Sequence, residues 1–145
     1  MKITIEALVR AELNKVWEVW NSPADIMQWN AANEDWHTTA STVDLREGGT
    51  FRSRMEAKDG SAGFDFEGTY TRIVPKKLIE YRMSDGRAVR VEFVERAEGV
   101  QIKETFDAEG EHSPELQRQG WQAILDNFVR HVEARQDQPE SAAAS

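Results

Sequence analysis

The stretch that decides the fold is the last periodic segment of the chain, residues 113–135, which reads SPELQRQGWQAILDNFVRHVEAR. Ser113, Pro114 and Glu115 form a typical helix start, with a capping hydroxyl, a first-turn proline and an acid near the positive end of the helix dipole. Apolar residues then recur at helical spacing: Leu116, Trp121, Ile124, Leu125, Phe128, Val129 and Val132. The segment predicts a helix of about 20 residues and roughly 30 Å, enough to span a small domain.

Gly120 lies inside this predicted helix. An interior glycine costs roughly 1 kcal/mol relative to alanine. We therefore expect a close approach to another element, or a local bend, at this position.

The segments before the helix alternate between apolar and polar residues, as half-buried strands do. Glycine-containing turns at 46–49, 59–60, 85–86 and 98–99 separate them. They predict six strands joined by hairpins. The first begins at Thr42, and the others are 50–58, 62–74, 77–83, 88–96 and 100–107. Gly68, inside the third, indicates a bulge or a tight bend of the sheet.

The N-terminal part adds one strand and two short helices. Residues 2–10 alternate as a strand does, and an apolar face with helical spacing follows at residues 13–20. Ser22 and Pro23 predict the cap and first turn of a second helix that carries Trp29. Residues 31–42 are polar and predict an irregular segment around Trp36.

Together these elements predict an α+β fold of the helix-grip type, in the order β-α-α-β6-α. Hairpin-linked strands form an antiparallel sheet, and one face of that sheet must be covered. Only the last helix is long and apolar enough, so a curved sheet of about seven strands is expected to wrap around it. Residues 1–135 form this domain, and residues 136–145 are expected to be a disordered tail.

The composition narrows the function classes. The formal net charge is −8, which opposes binding to nucleic acid. The 145 residues include no cysteine, so thiol catalysis and cysteine-ligated zinc are excluded. No segment reads as a membrane span or a signal peptide, so we expect a cytoplasmic protein, as a monomer or a homodimer.

Several segments together resemble the START-like superfamily, also called SRPBCC, and within it the group named for homologues of the heat-shock-chaperone ATPase activator. The resemblance covers about residues 1–135 and rests on residues 16–20, 23, 29, 44–51, 59–60, 66–70, 79–81, 104–107, 120–121 and 125–128. It implies the helix-grip fold and an internal cavity. It does not distinguish the binders, cyclases and chaperone regulators of that superfamily.

Glu104 is the most specific candidate for a functional residue. Its neighbours in strand register, Val100, Ile102 and Phe106, should face the core. A carboxylate on that face is costly unless it is paired or wet, and burial would raise its pKa. Glu104 is therefore either a polar anchor or acid in a cavity, or a structural residue turned outward by a bulge or paired with an arginine.

Aromatic residues and methionines are expected to line the cavity around Glu104. Most of the aromatic residues belong to the core, and a subset should face the remaining space. The candidate lining is Trp17, Trp29, Trp36, His37, Phe51, Met55, Phe66, Tyr70, Tyr81, Met83, Phe93, Glu104, Trp121 and Leu125.

The histidines predict no metal site, because His37, His112 and His131 are scattered along the chain. Asp35 and His37 flank Trp36 in a segment expected to cover the cavity mouth, where they either act as an acid–base pair or are simply solvated. We expect His131 on the solvent side of the last helix. No cofactor is indicated.

Three functions follow from these observations. The first is binding of a small apolar or amphipathic ligand, without chemistry of the protein's own. The second is an enzyme of the cyclase or hydrolase type that uses Glu104, or Asp35 with His37, as acid or base. The third is a stress-response adaptor or chaperone ATPase regulator.

Overall fold

The chain folds in the predicted element order, and a computed structural model describes residues 1–136. The elements are β1 (Lys2–Val9), α1 (Leu13–Asn21), α2 (Pro23–Trp29), β2 (Trp36–Val43), β3 (Thr50–Ala57), β4 (Gly63–Val74), β5 (Leu78–Met83), β6 (Ala88–Arg96), β7 (Gly99–Asp107) and α3 (Pro114–Gln136). The tail expected at 136–145 lies outside the described residues, apart from Gln136 at the end of α3.

One antiparallel sheet of seven strands, in the order β1-β7-β6-β5-β4-β3-β2, forms a curled half-barrel around α3. Five of the six neighbouring pairs join strands that are consecutive in the chain, while the sixth joins β1 to β7, the last strand. Ile5 of β1 and Val91 of β6 lie opposite Glu104 of β7. The helix-grip prediction is confirmed.

The concave face carries the core because the alternation of each strand points its apolar residues toward α3. The sheet contributes Val9, Ile102 and Phe106, and α3 contributes Phe128 and Val132, all without solvent exposure. Burying each such side chain stabilises the fold by roughly 1.5–3 kcal/mol. The helix is therefore held by its apolar stripe on one side of the sheet.

Two short helices close one end of the concave face. The Ser22 hydroxyl accepts a hydrogen bond from the main-chain nitrogen of Asp25 at 3.4 Å, with Pro23 in the first turn, as the sequence predicts. Trp20 of α1 and Trp29 of α2 pack edge-on against Phe128 of α3, with ring centroids 4.8 and 5.0 Å apart. This aromatic cluster fixes both short helices against α3.

The prediction of an irregular segment through Thr42 was wrong, because β2 begins at Trp36. The strand lies at the edge of the sheet and pairs only with β3, and half of its residues are exposed. A register shift between Thr38 and Ala40 interrupts its alternation. These two features removed the period-two signal that marks the other strands.

The two interior glycines differ in their surroundings. A Cβ at Gly68 would lie 2.6 Å from the main-chain oxygen of Arg82 and 2.8 Å from a ring carbon of Phe51, so Gly68 admits a close approach. At Gly120 a Cβ would meet nothing within 4 Å, so the close approach expected there is absent.

One further expectation for the last helix was wrong. Leu116, assigned to the apolar stripe, is 52% exposed and lies in the first turn of α3.

None of the helices in the described residues has the length and apolarity needed to cross a membrane.

Candidate functional site

A cavity of about 110 Å³ lies between the concave face of the sheet and the three helices. The residues around it come from every helix and from five strands. They are Trp20, Asn21, Ile26, Trp29, Asn30, Val43, Phe51, Ser53, Phe66, Tyr70, Ile79, Tyr81, Glu104, Trp121, Ile124 and Leu125. The wall is mainly aromatic and aliphatic, as in sites for small organic ligands.

Glu104 is the one ionisable carboxyl group in this lining, and it is only 6% exposed. The described residues offer its carboxyl no hydrogen bond and no ion pair, and burial alone raises its pKa from 4.5 to about 8. Its oxygens are nevertheless not sealed in protein, since no fully enclosed side-chain oxygen lacks a partner in the described part of the chain. The carboxyl group therefore faces the free space of the cavity, protonated at neutral pH.

Two tyrosines extend the polar part of the wall. Burial raises the pKa of Tyr70 to about 12, with a contribution from Asp44. Burial, followed by the proximity of Glu104, raises the pKa of Tyr81 well above its ordinary value. Both hydroxyls thus stay protonated and, together with Ser53 and Asn30, supply neutral hydrogen-bonding groups to the same cavity lining as Glu104.

Aromatic rings from both the sheet and the helices form much of the cavity wall. Phe51 packs edge-on against Tyr81 with centroids 4.7 Å apart, and Phe66 lies 6.2 Å from the ring of Trp121. Trp121 stacks flat on Phe106 at 4.0 Å and 9°. Phe51, Phe66 and Trp121 keep partial exposure, whereas Tyr81 and Leu125 are buried.

The structure brings eight of the fourteen predicted lining residues to the cavity: Trp29, Phe51, Phe66, Tyr70, Tyr81, Glu104, Trp121 and Leu125. Trp17 and Phe93 instead pack against each other, with ring centroids 5.3 Å apart, outside the lining. Met83 is buried at the end of β5, outside the lining. Met55 is also buried outside it, and its sulfur accepts a hydrogen bond from the Thr38 hydroxyl at 3.1 Å.

The expectation that Trp36 and His37 cover the cavity was wrong. Both belong to the edge strand β2 and border an open polar groove between the α2–β2 connection and α3. Trp36 packs on Phe64 at 5.8 Å, and His37 is exposed. Asp35 and His37 form no hydrogen bond with each other, so the acid–base pair considered for them is not assembled.

Half of the cavity wall was not predicted from the sequence: Trp20, Asn21, Ile26, Asn30, Val43, Ser53, Ile79 and Ile124. A signal was present for Ser53, which alternates in register with Phe51 and Met55 on the inner face of β3. The sequence carries no such signal for Asn30, which follows the last residue of α2. Its side chain is only 6% exposed because of tertiary packing.

His131 lies at the interface of α2 and α3 rather than on the solvent side. Its Nε2 is 2.9 Å from Oδ1 of Asp25, and the Arg135 guanidinium also donates to that carboxylate. Burial opposes ionisation of Asp25, but these two hydrogen bonds outweigh it and lower its pKa. The cluster joins the first turn of α2 to the last turns of α3.

One group among the described residues brings metal-type ligands together: Glu109, Glu111 and His112, in the loop before α3. Its acids are mostly exposed, and the Glu109 carboxylate already accepts the main-chain N–H groups of Glu111 and His112, at 3.3 and 2.7 Å. These bonds account for the arrangement as a loop structure that precedes the helix.

The chain is similar to one protein family and to many solved structures. A family model described as activator of Hsp90 ATPase homolog 1-like protein matches residues 10–133. The AHSA1-like protein from Aeromonas hydrophila is 54% identical, with a TM-score of 0.88 over 93% of this chain and 94% of that chain. No curated protein matches the chain at a significant level.

Two further structures show how the likeness extends. Chr148 from Cytophaga hutchinsonii is 46% identical, with a TM-score of 0.81 over 95% of this chain and 96% of that chain. NE0264 from Nitrosomonas europaea is 16% identical, with a TM-score of 0.78 over 95% and 97% of the two chains. At that identity the likeness shows the fold alone.

Proposed function

The chain belongs to the family of activator of Hsp90 ATPase homolog 1-like proteins, and we propose that it binds a compact, mainly apolar ligand in the cavity beneath α3. The observation that carries this proposal is the combination of apolar walls with the buried, unpartnered carboxyl of Glu104. A protein interior normally pairs such a group or excludes it. A ligand with one polar atom would supply the missing partner.

The volume limits the size of the ligand. Sites for drug-sized ligands usually measure ≈ 300–1,000 Å³. The cavity here measures about 110 Å³, closer to the ~150 Å³ apolar cavity that takes up a single benzene ring. A ligand with one ring therefore fits the structure as it stands, and a sterol or a long acyl chain does not.

An enzyme of the cyclase or hydrolase type is the alternative that Glu104 also supports. Its pKa of about 8 suits a general acid at neutral pH. The wall near it adds the two neutral tyrosines, Tyr70 and Tyr81, as hydrogen-bond donors. Asp35 and His37 no longer contribute to this alternative, because they lie outside the cavity.

A role as adaptor or chaperone ATPase regulator rests on the family description alone. The large apolar side chains that are most exposed in the described part of the chain sit on separate elements: Met1, Met27, Phe64, Val94 and Leu116. Such scattered residues are normal on protein surfaces.

Binding can be tested with a library of single-ring compounds, using thermal unfolding and two-dimensional NMR as readouts. A ligand at 100 times its Kd stabilises the protein by ≈ 2.7 kcal/mol, which raises Tm by several degrees at this size. We expect chemical-shift changes at Trp29 and Trp121, whose rings line the cavity.

A matched pair of variants shows whether a hit occupies the cavity. Ser53→Leu places a larger side chain into the cavity, while Thr50→Leu makes a similar change on the exposed side of the same strand. The first should abolish binding and the second should preserve it. Equal binding to both variants would assign the ligand to another site.

A further inference from the structure

The cavity wall contains an acidic group and no basic group. Among its lining residues Glu104 is the only group that ionises near neutral pH, since the other titratable members, Tyr70 and Tyr81, stay protonated. No lysine, arginine or histidine belongs to this lining. A bound carboxylate or phosphate would therefore find no positive charge in the cavity wall. The one ionisable group that it would meet is the carboxyl of Glu104.

The residues packed around Glu104 add no counter-charge either. Its neighbours across the sheet are Ile5 on β1 and Val91 on β6, and α3 covers it with Trp121 and Leu125. The wall is also rich in aromatic rings, and the π-face of an aromatic ring attracts cations when water is excluded. The net charge of −8 also draws cations rather than anions toward the protein.

We propose that the cavity selects compact ligands that carry one protonated amine on a single ring or ring-sized apolar body, with the Glu104 carboxylate as the counter-ion. This inference rests on the proposed function and names the ligand class for the same site. It also excludes acids of the same size, because no group of the wall would neutralise them.

Proton release distinguishes the amine from a neutral ligand. Free Glu104 holds its proton up to about pH 8. An amine that binds as the cation must displace that proton. Below pH 8 its affinity should therefore increase about tenfold for each unit by which the pH is raised. A neutral alcohol would hydrogen-bond to the protonated acid, so its affinity should be constant below pH 8 and should fall above it.

The experiment compares benzylamine, benzyl alcohol and benzoate, which share one ring and differ in the charge of one substituent. Binding is measured by NMR titration at pH 6, 7 and 8, on the natural protein and on two variants. Glu104→Gln removes the counter-ion, and Glu95→Gln removes the same charge from the exposed end of β6.

We expect benzylamine to bind with rising affinity from pH 6 to pH 8, and to lose about tenfold in Glu104→Gln, the value of one charge-assisted hydrogen bond. Benzyl alcohol should change little in that variant, and Glu95→Gln should leave all three ligands unaffected. Binding of benzoate that equals or exceeds that of benzylamine would overturn the inference.

The two proposals fail in different ways. If benzyl alcohol and benzylamine bind equally at every pH, and Glu104→Gln affects neither, the cavity binds ligands but does not select amines. If none of the three ring compounds binds and the wider library gives no hit, the proposed binding function itself is wrong.

Discussion

The two halves of the concave face are built differently. On the side of β1 and β7, aliphatic and aromatic residues fill all available space, and Val9, Ile102 and Phe106 have no exposure. On the side of β3 and β4, Phe51 and Phe66 remain half-buried around the free volume of the cavity. Glu104 lies on the border, on a strand of the packed half but facing the open one.

The difference follows from the position of α3. The helix lies along β1, where Arg118 and Gln122 donate to the main-chain oxygens of Thr4 and Glu6, at 2.6 and 3.1 Å. A helix fixed near one edge of a curved sheet leaves the opposite part of the concave face uncovered. Stability therefore resides in one half, which leaves the other half free to hold a ligand.

The largest loss of stability is expected when a side chain of the packed half is truncated. Phe106→Ala removes a fully buried ring that stacks on Trp121, and is expected to cost about 3–5 kcal/mol of the free energy of unfolding in urea. Phe66→Ala, on the open half, should cost less than half as much because its ring already borders free space. Equal losses would show that the two halves contribute alike.

Glu104→Gln, at the border between the two halves, should make the free energy of unfolding less dependent on pH. The folded protein keeps the Glu104 proton up to about pH 8, whereas the unfolded chain releases it near the ordinary pKa of 4.5. The free energy of unfolding of the natural protein should therefore fall as the pH rises through this range, by about 5 kcal/mol in all. The variant should lack this fall, which denaturation series at pH 5 and pH 8 would reveal.

Asp25→Asn should loosen the attachment of α2, which closes the open half. Losing the charged partner of His131 and Arg135 is expected to cost about 1–2 kcal/mol. Since the pKa of Asp25 is lowered in the folded state, this contribution is present above pH 4 or so and is lost in acid. Asp35→Asn, at an exposed site, should stay within about 0.5 kcal/mol of the natural protein.

The smallest effect, and a favourable one, is expected at Gly120. Alanine meets open space there, so Gly120→Ala should stabilise the protein by up to about 1 kcal/mol in thermal unfolding. Gly99→Ala is the contrasting change, because its φ is +152° and a Cβ would lie 2.1 Å from the main-chain oxygen of Val9. That variant should be destabilised.

The sequence predicted the packed half more completely than the open half, where eight of the sixteen lining residues were not predicted. Periodicity placed Val100, Ile102 and Phe106 of β7 on the inward face, because each of them lies on a regular strand, but it left open whether Glu104 faces inward. It did not place Trp36 and His37, since an edge strand with a register shift shows no alternation. Nor did it separate Met83 from Tyr81, because both face inward and only the position of α3 decides which one meets the cavity.

The pairing of β1 with β7 also sets the timing of folding. Val9 lies opposite Val100, so about 90 residues must be synthesised after β1 before it can pair with β7. At ~5–20 residues per second this interval lasts roughly 5–20 s on the ribosome. Throughout it, the apolar side of a nascent strand stays unpaired, while the hairpins from β2 to β6 can already form. The packed half is therefore completed only when β7 and α3 have been added to the earlier strands.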